Sequence, residues 1–168
     1  YKEPRLNQYI SKIGYALAKT SELPNIKWTF TILDSPQINA FAVPGGYIYV
    51  TRGLISLASS EAELSGVIAH EIGHITARHT AQRYSSSMVT SGLTMAASIF
   101  LGSIAGDAAD LASNIAVKSY SRSQEFEADT LGVRYLSRNG YDLTAVPKFL
   151  SKLRANSKLE AKRRKSDP

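Results

Sequence analysis

Apolar residues recur at helical spacing over residues 4–21, where Leu6, Ile10, Ile13, Ala16 and Leu17 share a face. This predicts an amphipathic helix, closed by Pro24. The period then changes. Ile26, Trp28, Phe30 and Ile32 alternate with Lys27, Thr29 and Thr31, the two-residue repeat of a half-buried strand. Two more β-rich runs, residues 37–43 and 47–51, flank Pro44-Gly45-Gly46 and predict a hairpin. A small sheet of at least three strands is therefore expected near the N-terminus.

Helical patterning dominates the remainder. Ser60-Glu61-Ala62-Glu63 has the form of a capping box ahead of an apolar run, so a helix is expected from there to about Tyr84. Another is expected from about Asp107 to Arg138, stopped by Asn139-Gly140, and a last one from near Leu143 into the C-terminal segment. No repeat is evident. The expected fold class is α+β, mostly helical, with a small sheet on one side, in a single domain over residues 1–168.

Composition narrows the chemistry. The chain has no cysteine, which excludes disulfide frameworks, thiolate zinc fingers, iron–sulfur clusters and cysteine nucleophiles. Its net charge of +6 resides wholly in residues 148–168, and the rest of the chain is balanced. That basic segment reads as a solvated helix end. No aromatic platform or nucleic-acid motif accompanies it, so nucleic acid is not an expected partner. The chain opens at Tyr1 without an initiator Met or an apolar signal core, the pattern of a mature or trimmed fragment.

Residues 64–77 read Leu-Ser-Gly-Val-Ile-Ala-His-Glu-Ile-Gly-His-Ile-Thr-Ala, and their only ionisable side chains are His70, Glu71 and His74. Apolar or small residues occupy nearly every other position, so this helix should be central and buried. Two buried imidazoles and a carboxylate are costly unless they find partners or a metal. His70 and His74 lie about 40° apart on the helical wheel and can converge on one ion. Glu71 is offset by about 100° and is better placed to reach a water than to share the ion. This is the His-Glu-x-x-His pattern of zinc hydrolases; the alternative is a pair of core histidines with satisfied hydrogen bonds.

A catalytic zinc needs a third protein ligand. If the helix continues, His79 lies about 180° from His70 and cannot reach the same ion, which leaves it at the surface or behind a ligand. Farther on, Ser121-Arg-Ser-Gln-Glu-Phe-Glu-Ala-Asp129 places Glu125 and Asp129 on one helical face, with Glu127 about 160° away. A ligating carboxylate plus a second one that receives the free N–H of a ligand histidine would suit a zinc site. A solvated acidic face is the other reading of this stretch, and Glu127 fits it well.

Three motifs in order resemble the HtpX-type and CAAX-prenyl-endopeptidase-type zinc metallopeptidases, family forty-eight of the metallopeptidases. They are Ile38-Asn-Ala-Phe-Ala-Val-Pro-Gly-Gly-Tyr-Ile48 with Thr51-Arg-Gly53, then His70-Glu-Ile-Gly-His74, then Ser121-Arg with Glu125-Phe-Glu-Ala-Asp129. The resemblance spans residues 5–150. It implies a zincin-like (gluzincin) catalytic domain with a central active-site helix. It implies one zinc ion held by His70, His74 and Glu125, Glu71 as general base, and a supporting role for Asp129. It also implies that the strand carrying Asn39, Ala40 and Phe41 borders the cleft where an extended polypeptide substrate adds. Relatives carry a further C-terminal segment with a Ser/Thr-His-Pro signature, which this chain does not contain.

Residues 88–106 hold no charge, long enough to span a bilayer, but eight of them are Ser, Thr or Gly. A buried or partly exposed helix is expected in preference to a span. An exposed apolar patch there would admit peripheral contact with membrane or outer-membrane proteins. The soluble branch of the resembled family suggests the bacterial periplasm, with any signal or lipoprotein anchor outside this chain. The function expected is endopeptidase cleavage of misfolded or membrane-associated proteins in protein quality control. The alternative is a chaperone-like client-binding protein with a structural zinc, against which the intact Glu71 argues.

Overall fold

A computed structural model of the chain describes residues 3–91 and 120–166. The described residues are mostly helical, with one three-stranded sheet, in a zincin-like arrangement. Helix α1 (Pro4–Lys19) starts with proline in its first turn and buries Ile10, Ile13, Leu17 and Ala18. The strands are β1 (Thr29–Leu33), β2 (Ala40–Val43) and β3 (Tyr47–Thr51). β2 and β3 form the expected antiparallel hairpin, with Ala40 opposite Val50 and Val43 opposite Tyr47. Its turn uses Gly45 and Gly46 at φ of 99° and 91°, a region that side chains with a Cβ disfavour. β1 pairs with β3 in parallel, so the spatial order is β1-β3-β2 and β2 is an edge.

Thr51 closes the sheet and caps α2 (Arg52–Leu57) by accepting the Leu54 N–H. Helix α3 (Glu61–Thr76) follows, and it is buried nearly all round, as its composition requires. Ser60 accepts the Glu63 N–H at 3.2 Å as expected of a cap. The Glu63 carboxylate does not return to Ser60, however. It accepts the Ser59 N–H at 2.8 Å and both its oxygens lie 2.8 Å from Lys152 Nζ.

Two helix expectations are corrected. The helix expected to continue to Tyr84 stops at Thr76, and α4 (His79–Ser91) starts afresh after a turn at Ala77 and Arg78. Arg78 adopts φ 61°, and one left-handed residue is enough to break the α3 axis. The helix expected from Asp107 does not run unbroken to Arg138. Tyr120 and Ser121 are non-helical, and α5 (Arg122–Arg138) begins on a full capping box between Ser121 and Gln124. Its end at Asn139-Gly140 is as expected. The last helix, α6 (Ala145–Ser166), carries the basic segment. Residues 92–106 of the uncharged stretch, and the start of the helix expected from Asp107, lie outside the described residues. Among the described residues, no helix is long and apolar enough to cross a membrane.

One core joins these elements: Ile10, Leu17, Trp28, Phe30, Ile48, Val50, Ile68, Ile72, Tyr135, Leu136 and Phe149 are all buried within it. The pairing of α3 with α5 is the most extensive between helices. Small residues make it close. A Cβ on Gly73 would lie 2.9 Å from the Ala128 carbonyl oxygen, and one on Gly132 would lie 3.2 Å from the His70 nitrogen. Past this contact, Tyr135 shares a hydrogen bond with Thr76 at 2.8 Å and donates to Glu22, which also pairs with Arg134 at 2.9 Å. The far end of α5 is thus tied to α3 and to the loop after α1.

Two stability measurements test this packing. Gly73→Ala is expected to cost about 1–2 kcal/mol in urea unfolding, because overpacking against α5 backbone outweighs alanine's better helix propensity. No loss would mean that α3 and α5 are not in close contact. Lys152→Met is expected to cost about 1–3 kcal/mol at pH 7, since it strands a buried Glu63 carboxylate. Hydrogen bonds from Lys152 and the Ser59 N–H hold the Glu63 pKa below its ordinary 4.5. Its contribution is therefore complete above about pH 4.5 and is lost as pH falls through the lowered value, so the two chains should converge in acid.

Candidate metal centre

Helix α3 points His70 and His74 to the same side, one turn apart, with their Nε2 atoms 3.0 Å from each other. Glu125, in the first turn of α5, completes the cluster. Its Oε2 is 3.4 Å from His70 Nε2 and its Oε1 is 3.8 Å from His74 Nε2. Among the described residues these three form the group able to hold a metal ion, with one ligand atom from each within 4.8 Å of the others. Neighbouring ligands around a tetrahedral ion with bonds of about 2.0–2.1 Å stand about 3.3 Å apart. The triangle is close to that spacing, and its two imidazoles and one carboxylate are a donor set suited to zinc.

The surroundings favour a cation as well. Burial alone would lower the His70 pKa. Its hydrogen bond to Glu125 and the charges of Glu71, Asp129 and Glu125 outweigh that and raise it to about 9. The same hydrogen bond from His70 leads the causes that hold Glu125 below the usual glutamate range. His74 is 1% exposed, and burial, followed by the charges of His70, His79 and Arg83, pushes its pKa down to about 2. It is therefore a neutral ring with one nitrogen lone pair to offer.

Asp129 lies one turn beyond Glu125 and touches His70 on its other side, with Oδ1 2.8 Å from Nδ1. Glu71 is buried on the neighbouring face of α3 against the edge strand, where the Ala42 N–H donates to its carboxylate. Burial outweighs the attraction of His70 and pushes its pKa up to about 7. The residues expected along the cleft divide. Asn39 spends its N–H and C=O on Thr51, at 3.0 Å and 2.9 Å. Ala40 is half-buried, and the Phe41 ring is buried and stacked on Tyr49 with centroids 5.0 Å apart. What β2 offers beside Glu71 is thus backbone rather than the Phe41 side chain.

Of the two places expected for His79, at the surface or behind a ligand, it takes the second: the break after Thr76 turns it back against His74, with the two Nδ1 atoms 3.1 Å apart, and it is 2% exposed. Glu127 is not merely solvated, because its Oε2 lies 3.1 Å from His79 Nε2. Sequence reasoning also missed Tyr120. Its ring stacks on His74, centroids 3.7 Å apart and 15° from parallel, and the Arg83 guanidinium lies 4.0 Å over its other face. Its hydroxyl is buried without a hydrogen-bond partner among the described residues. The only signal was position, since Tyr120 directly precedes the Ser121-Arg122 pair.

The model of "Peptidase family M48" matches residues 4–163. The chain is 34% identical over 164 residues to the beta-barrel assembly-enhancing protease of Escherichia coli strain K12, covering 90% of this chain and 33% of that one. It is 34% identical over 170 residues to the Yersinia pestis protein of that name, covering 95% and 35%. It is also 34% identical over 143 residues to the mitochondrial metalloendopeptidase OMA1 of Arabidopsis thaliana, covering 84% and 29%. The chain spans about a third of the length of these relatives. With a family match running through the sheet, α3, α5 and most of α6, this chain belongs to peptidase family M48, a family of metallopeptidases.

Proposed function

We propose that this chain is the catalytic unit of a zinc endopeptidase. The observation that carries the reading is the convergence of His70, His74 and Glu125 with a buried carboxylate, Glu71, beside them. Those three side chains would hold the ion. A bound zinc would supply Lewis acidity there, enough to lower the pKa of water to about 7. Glu71 takes the proton from the attacking water and passes it to the leaving amine nitrogen. Its raised pKa suits both halves of that transfer near neutrality. Asp129 holds His70 in orientation by accepting its Nδ1–H.

Substrate enters as an extended polypeptide along the edge of β2 beside Asn39, Ala40 and Phe41, pairing with main-chain groups of that edge other than those Asn39 spends on Thr51. The edge position of β2 and its contact with Glu71 support that path. Misfolded or membrane-associated proteins are the substrate class proposed, in protein quality control at the bacterial periplasm or its membrane. Relatives named for beta-barrel assembly support it.

Glu71→Gln should retain one zinc ion per chain by elemental analysis and lose at least about a hundredfold in kcat/KM on an unfolded protein substrate. Chelation should abolish wild-type cleavage and added zinc restore it. Unchanged cleavage by the Glu71→Gln chain would sink the mechanism.

A further inference from the structure

Resting on the metal-centre reading above, we infer that His79 and Glu127 form a relay that sets the tautomer of His74, making both of them positioning residues. His74 Nδ1 faces His79 Nδ1 at 3.1 Å, and His79 Nε2 faces Glu127 Oε2 at 3.1 Å. Both rings are almost fully buried, so water does not compete for these nitrogens. A contact between two imidazole nitrogens holds one hydrogen. Placed on His79 Nδ1, it would leave the proton of neutral His74 on Nε2, the atom turned towards His70 and Glu125. Placed on His74 Nδ1, it leaves Nε2 bare and able to bind a metal.

Glu127 decides between them. A carboxylate only accepts, so it keeps the proton of neutral His79 on Nε2. His79 Nδ1 is then a lone pair and must receive the Nδ1–H of His74. The hydrogens run His74 to His79 to Glu127, and His74 is held in its ligating form. His70 gets the same support without an intermediate, donating its Nδ1–H straight to Asp129 at 2.8 Å. Helix α5 thus supplies a carboxylate behind each histidine, directly for one and across α4 for the other. The Gln124 side-chain amide donates to Gln82 at 3.1 Å, which keeps α4 and α5 in the register this contact needs.

The test uses the full chain loaded with zinc alone. Ring 15N spectra of the wild type should show His79 protonated on Nε2 and His74 on Nδ1. By competition with a chromophoric chelator, His79→Leu and Glu127→Lys should each weaken zinc binding about 10–100-fold. Glu127 is 60% exposed, so its replacement should leave the melting temperature of the zinc-free chain unchanged. Glu127→Gln, which keeps an accepting oxygen, should retain most of the affinity. His79→Asn can receive the His74 proton but cannot pass the influence of Glu127 on, so in that background Glu127→Lys should cost nothing further. An equal loss in both backgrounds would assign the effect to charge alone and overturn the relay. So would the opposite His79 tautomer, or variants that bind zinc like the wild type. A wild-type chain that takes up no zinc would remove the metal-centre reading itself.

Discussion

Helices α3 and α5 meet where Gly73 lies against the Ala128 backbone and Gly132 against the backbone of Ala69 and His70. Almost everything at the site follows from the closeness of that contact. Side chains of ordinary size would hold the helix axes farther apart. Glutamate and aspartate are short, and Glu125 and Asp129 reach opposite sides of His70 only because the backbones nearly touch. The anchorage of Tyr135 to Thr76 and Glu22 sets the register along the same interface. Packing in the core and geometry at the site are therefore one constraint.

The interior of this protein carries an unusual polar load, with His74, His79, Glu71 and Glu63 all buried. Unpaired, each would cost several kcal/mol. Each instead has a named partner: His70 and His79 for His74, Glu127 for His79, the Ala42 N–H for Glu71, and Lys152 for Glu63. The stack of Arg83, Tyr120 and His74 adds a flat wall on one side of the site. Such a wall holds the His74 ring in place and, with the Arg83 charge, keeps it neutral. Apart from Lys152 on α6, these partners come from α3, α4, α5 and the edge strand, so the site exists only when those four are assembled.

Much of this was legible in the chain itself. The shift from helical to alternating period marked α1 and the sheet, Pro44-Gly45-Gly46 marked the hairpin, and Asn139-Gly140 marked the end of α5. His70, Glu71 and His74 stood out because they were the only ionisable groups in an otherwise apolar helix. The break at Ala77 and Arg78 was not legible, because a left-handed arginine has no local signature and the helical pattern runs on through it. That omission carried His79 to the wrong side of the helix. The same omission left Glu127 with no visible partner, so its reading as a solvated residue followed.

What local sequence determined is the set of chemical groups and their spacing within single elements: two imidazoles a turn apart, and two carboxylates a turn apart. Periodicity and capping are short-range, and these follow from backbone geometry within one helix. What only the tertiary structure decided is which group faces which across elements. The pairing of His70 with Asp129, the link from His74 through His79 to Glu127, and the stacking of Tyr120 join residues up to 59 positions apart. Those contacts depend on interhelix distance and on one turn angle, quantities that the hydrophobic pattern of a chain does not encode.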